Sequence, residues 1–164
     1  MFQLPFPVRD ANAASGSDQF GDLPEWDLTD LYASEDAPEL KRDLEWLETE
    51  CSSFASDYEG KLADIDADGL LNCVLRNEKI NNKAGRIMSY AGLRYYQLTT
   101  DADRAKFMSD MQETITVFTT PLVFFTLELN RIDDSVLAAH FDANTDLARY
   151  KPVFDRIRAM KPYQ

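Results

Sequence analysis

The sequence predicts an all-α fold: an antiparallel helical bundle of two or three long helices plus two short C-terminal helices. Apolar residues recur every three or four positions over long stretches, and no segment alternates apolar with polar as a half-buried strand does. Leu, Ala and Phe each outnumber Val and Ile, and 6 Gly and 7 Pro in 164 residues leave few helix breakers. An apolar fraction of 45% suffices for a core at this length, and no internal repeat divides the chain.

Residues 1–21, rich in Ala, Ser, Gly, Asp and Asn after an apolar start, predict a mobile N-terminal arm whose Phe2, Leu4 and Phe6 can dock on a neighbouring surface. The helical domain is expected over 22–164, with order beginning near Leu23. From about Glu39, Leu40, Leu44, Leu47, Cys51, Phe54 and Tyr58 form one apolar stripe, with Pro38 suited to a first turn and Gly60 near the end. A second helix is expected from about Asp68 to Leu98, marked by Leu71, Val74, Leu75, Ile80, Ala84, Ile87, Ala91 and Tyr95. Gly85 and Gly92 lie inside it, as sites of close approach by a partner helix or as tolerated glycines.

Thr100-Asp101-Ala102-Asp103 announces a third helix through a capping residue and an acidic first turn. Its stripe, Phe107, Met111, Ile115, Phe118, Leu122, Phe125, Leu129 and Ile132, keeps phase across Pro121, which predicts a kink rather than an end. Val123 and Phe124 lie off the stripe and predict burial on several sides. A short helix is expected over about Ser135–Phe141, and a last one from Asp146 or Pro152 to Met160.

The net charge is -12, and residues 10–68 alone hold 18 acidic and 3 basic side chains. Such a surface repels phosphate backbones, so nucleic acid is not an expected partner. Arg149, Lys151, Arg156, Arg158 and Lys161 make the last stretch basic, so copies can pair head to tail or the charges can simply face water. The most apolar window, Ile115–Ile132, is broken by Thr119, Thr120, Pro121 and Glu128 and reads as a buried helix, not a membrane span. No basic leader precedes an unbroken apolar run, so no secretory signal is expected. Cys51 and Cys73 sit at helical apolar positions outside any C-x-x-C pair, as free thiols of a cytoplasmic protein do.

Residues suited to carry chemistry are few. His140 is the only histidine, and a zinc site needs three or four converging ligands, so metal, catalytic and cofactor-binding residues are each expected to be none. Asp64-Ile65-Asp66-Ala67-Asp68-Gly69 has the start of a calcium loop, but Leu75 stands where the closing Glu belongs; the segment reads better as acidic capping of the second helix. Glu128, inside an apolar run, needs a partner; Arg131 or Arg94 is expected to supply it, the alternative being contact with a substrate or a missing domain. Tyr90, Tyr95, Tyr96, Tyr150 and Tyr163 read as the rim of a core or the lining of a peptide groove.

Pro24-Glu25-Trp26-Asp27-Leu28-Thr29-Asp30-Leu31-Tyr32 resembles the opening of the oligoendopeptidase F family of thimet-oligopeptidase-like zinc metallopeptidases. Asp43-Leu44, Phe54 through Tyr58-Glu59-Gly60-Lys61-Leu62, Tyr90-Ala91-Gly92-Leu93, Leu127-Glu128-Leu129 and Arg149-Tyr150 through Gln164 extend the resemblance in order over about 22–164. The resemblance implies a cytoplasmic, mostly helical hydrolase that cleaves short peptides with zinc held by H-E-x-x-H and a further Glu. Those ligands map to no position here. The chain is therefore expected to be an N-terminal fragment: a scaffold and substrate-channel wall, silent alone, whose partners are the remaining catalytic domain and, in the intact enzyme, peptide substrates. The alternative is an autonomous acidic protein–protein interaction module. In isolation a homo-oligomer is expected, with no membrane partner.

Overall fold

The computed structural model describes residues 25–163, so the predicted arm, residues 22–24 and Gln164 lie outside the described residues. The fold is all-α, as the sequence predicts. Among the described residues seven α-helices follow in order: α1 (Pro38–Tyr58), α2 (Ala67–Gln97), α3 (Ala102–Thr119), α4 (Val123–Arg131), α5 (Asp134–Ala143), α6 (Thr145–Ala148) and α7 (Lys151–Arg158). Helix α2 is the centre of the bundle: α1, α3, α5 and α6 pack on it, while α4 packs on α7.

The predicted stripe of α1 is the face it buries. Leu40, Leu47, Cys51 and Phe54 are in the core, and Leu44 and Tyr58 are half-buried against it. Pro38 occupies the first turn, where its missing N–H costs nothing. At the other end the Lys61 ammonium donates to the carbonyls of Ser56 and Asp57, both at 2.9 Å, and so satisfies acceptors that the helix leaves open. Helix α2 starts on Asp66, whose carboxylate accepts from the Gly69 amide at 2.8 Å.

A row of cations on α2 joins it to α1. Arg76 donates to Glu50 at 2.7 Å and to Asp57 at 2.8 Å, and its guanidinium lies over the Phe54 and Tyr58 rings. One turn on, Lys79 sits over the Trp46 ring. Lys83 donates to Asp43 at 2.5 Å. Partners rise along α2 as they fall along α1, so the two helices run antiparallel. The positions 76, 79, 83 and 86 share one face of α2, and the acidic surplus of the N-terminal half is partly spent in this seam.

The third predicted helix is two helices. Regular α-helix ends at Thr119, a single 3-10 turn spans Thr120–Leu122, and α4 resumes at Val123. Pro121 removes one ladder donor, and the hydroxyls of Thr116, Thr119 and Thr120 donate back to the carbonyls of Gln112, Ile115 and Thr116. Such back-bonding tends to bend a helix, and it acts here together with the proline. The stripe keeps phase because the backbone never leaves the right-handed helical region. Burial on several sides does not follow for Val123, which is 61% exposed beside a buried Phe124. The last predicted helix also divides, into α6 and α7: Pro152 sits in the first turn of α7 and cannot continue a ladder from α6.

Neither Gly85 nor Gly92 marks a close approach. A Cβ on Gly85 would meet nothing within 4 Å, and one on Gly92 would meet only Tyr96 Cε2 at 3.8 Å. Gly60 is different, with φ of +77° in the turn after α1. Gly85→Ala should therefore raise stability by about 0.5–1 kcal/mol, and Gly60→Ala should lower it by about 1 kcal/mol or more. Parallel thermal melts check both; a shift of the same sign in the two variants would contradict the assignment.

Candidate functional site

The segment 26–32 forms a latch. Asp27 Oδ1 accepts from the Thr29 amide at 2.9 Å and from Thr29 Oγ1 at 2.7 Å, an Asx turn. The Thr29 amide, then its hydroxyl, hold the Asp27 carboxyl below its ordinary range. The amides of Leu31 and Tyr32 donate to the Leu28 carbonyl at 2.9 and 3.1 Å, closing one turn. That turn delivers Tyr32 into the core, edge-on to Tyr90 with centroids 5.4 Å apart. Its phenol donates to Asp43 Oδ2 at 2.8 Å. Burial first, and the Asp43 bond second, push the Tyr32 phenol above its ordinary value. Arg86 covers the ring at 4.8 Å and donates to the carbonyls of Asp30 and Leu31 at 3.1 and 2.5 Å. Farther along α2, Gln97 donates to the Trp26 carbonyl at 2.8 Å and Arg94 pairs with Glu35 at 3.2 Å.

Between the latch, the end of α2 and the start of α3 lies an open cleft of about 850 Å³. Trp26, Tyr96 and Leu98 stand exposed around it, 59%, 61% and 47% respectively. Its charged lining is Glu25, Asp27, Glu35 and Asp36 against Arg94 and Arg104. Arg94 is committed to Glu35, and Arg104 to Asp101 at 3.5 Å. What remains is an acidic, aromatic-edged cleft suited to binding. Sequence reasoning passed over Glu35, Arg94 and Gln97 as parts of a site. The one signal was the three-residue spacing of Arg94 and Gln97 on the last turns of α2, which sets both on the face that meets the latch.

The predicted tyrosine set converges only in part. Tyr90, buried between Tyr32 and Phe107, and Tyr96 both line the cleft, Tyr95 lies against Tyr96 with ring centroids 5.4 Å apart, and Tyr150 lies elsewhere, donating to Glu78 at 2.7 Å. Tyr163 is 81% exposed. Glu128 finds neither Arg131 nor Arg94 as its partner. Its carboxylate accepts from the amides of Gly60 at 2.6 Å and Leu62 at 3.3 Å, so it clamps the α1–α2 turn from α4. Backbone amides suit a carboxylate as well as a cation does, and sequence spacing gives no hint of a contact 68 residues away.

His140 is half-buried on α5. Asp68 in the acidic loop accepts from Asn144 and Asp66 caps α2, so that loop serves as the start of a helix. Among the described residues no three His, Cys, Asp or Glu side chains gather where they could hold a metal ion. Cys51 and Cys73 are buried free thiols. Burial and the nearby Glu50 push the Cys51 thiol up to about 11; burial, against the pull of Arg76, takes Cys73 to about 12. Both stay protonated at neutral pH and are poor nucleophiles. Among the described residues no helix is long and apolar enough to cross a membrane. No known protein family, curated protein or solved structure matches the chain.

Proposed function

We propose that this chain is the N-terminal helical region of an oligoendopeptidase F-like zinc metallopeptidase, where it serves as scaffold and wall of a peptide channel. The observation that carries the reading is the ordered resemblance that starts at Trp26-Asp27-Leu28-Thr29-Asp30-Leu31-Tyr32. The latch supports it with a physical reason for those residue types: Asp27 makes the turn, Tyr32 fills the core and meets Asp43, and the backbone between them takes Arg86. Zinc and the peptide-cleaving residues belong to the remaining catalytic domain, and the chain alone is silent. Two buried reduced thiols accord with a cytoplasmic enzyme. Sequencing the transcript past the codon for Gln164 and assaying its product tests this. An H-E-x-x-H segment and zinc-dependent cleavage of short peptides are expected; a stop codon, with no companion polypeptide bearing that motif, overturns the reading.

The second reading, a self-associating interaction module, is favoured by the exposed apolar side chains Val117, Val123, Val153 and Met160, each more than half exposed. On either reading the isolated chain is expected to self-associate. Light scattering across a hundredfold range of concentration should show mass rising above 18.7 kDa. A constant monomer mass would count against it.

A further inference from the structure

We propose that the aromatic-edged cleft at the end of α2 is the docking site for this chain's own N-terminal segment, Phe2–Arg9. Three large apolar side chains, Trp26, Tyr96 and Leu98, stand exposed around one concavity, an arrangement that marks an interaction site rather than scattered surface residues. Its four carboxylates outnumber its two arginines, and the pairing of Arg94 with Glu35 leaves Glu25, Asp27 and Asp36 as the surplus. Asp36 has only a distant contact, 3.9 Å from Lys41. An occupant must therefore be apolar, with a cation and no acid.

Phe2-Gln3-Leu4-Pro5-Phe6-Pro7-Val8-Arg9 has that chemistry. It carries four large apolar side chains, Phe2, Leu4, Phe6 and Val8, with Pro5 and Pro7 among them, no acidic residue, and Arg9, the single Lys or Arg before Lys41. Pro5 and Pro7 favour an extended, polyproline-like backbone, which presents side chains to an aromatic-lined groove at low entropic cost. Trp26 and Tyr96 are such a lining, and their faces also suit a guanidinium. Reach is no obstacle. Glu25 lies on the cleft wall itself, and residues 10–24 between it and Arg9 can span up to about 50 Å when extended. The tether also makes the encounter intramolecular, with an effective concentration that a separate peptide would have to match.

Phe6 replaced by the photoreactive p-benzoylphenylalanine in the full chain tests the proposal. After irradiation at low micromolar concentration, crosslinks within one chain to the peptides holding Trp26, Tyr96 or Leu98 are expected. Crosslinks to a second copy, to another face, or none at all would overturn it. A second measurement is independent of crosslinking chemistry. With Trp46→Phe, Trp26 is the sole tryptophan. Adding Phe2→Ser and Phe6→Ser should then shift its emission to the red and raise its quenching by acrylamide about twofold, with the helical melt unchanged. Identical emission and quenching with and without the two serines would overturn the assignment.

Discussion

Phe54→Ala should lower the stability of this fold by about 3–5 kcal/mol, a third or more of what a typical domain possesses. The side chain is fully buried and lies where α1 meets α4. Its ring centroid is 4.9 Å from Tyr58, 5.9 Å from Phe124 and 5.8 Å from Phe125, and Arg76 lies over it. The cavity left by alanine would be walled by rings from two helices and could not easily collapse. Phe54→Leu keeps most of the volume and should cost much less, about 1–2 kcal/mol. Urea unfolding followed by helical signal measures both. Hydrogen exchange adds a local readout: the amides of Gly60 and Leu62, held by Glu128 on α4, should exchange faster in Phe54→Ala because α4 loses its seat on α1. Equal stability of the alanine variant and the parent would contradict the packing described.

Much of this fold is written in local periodicity. The α1 stripe from Leu40 to Phe54 is buried where the three-and-four spacing puts it, and Asp66 and Asp101 cap the helices that their positions announce. What periodicity misses are decisions made by backbone chemistry or by distant partners. At Pro121 the stripe predicts one bent helix, but the local donors and acceptors favour a 3-10 turn between two. Side-chain spacing does not register which amides are missing. At Glu128 the local sequence offers Arg131, while the fold offers two amides of the α1–α2 turn. The cleft is the least legible part, because it is assembled from the latch, the last turns of α2 and the start of α3. None of its residues is unusual in its own neighbourhood; their convergence is tertiary.

Asp43→Ala should cost about 2–3 kcal/mol at pH 7, and the cost should shrink in acid. Asp43 joins three elements: it accepts from the Tyr32 phenol of the latch at 2.8 Å and from Lys83 of α2 at 2.5 Å, while itself on α1. Truncation leaves a buried hydroxyl and a half-buried ammonium without their acceptor. The side chain of Lys83 is 29% exposed and can turn to water, which keeps the loss below that of a fully enclosed ion pair. Burial acts to raise the Asp43 carboxyl, but the bonds from Lys83 and Tyr32 together outweigh it and hold the group below its ordinary value. A carboxyl depressed by folding stabilises the native state above its unfolded value of about 3.9. That contribution is lost as pH falls through the folded value. The gap between Asp43→Ala and the parent should therefore be constant from pH 7 to about pH 5 and narrow below about pH 4. Subtracting the two urea curves at each pH cancels the other carboxylates, which titrate in both proteins. A gap that widened in acid would mean that Asp43 is held in the protonated form, and the charged link between the latch and α2 would have to be withdrawn.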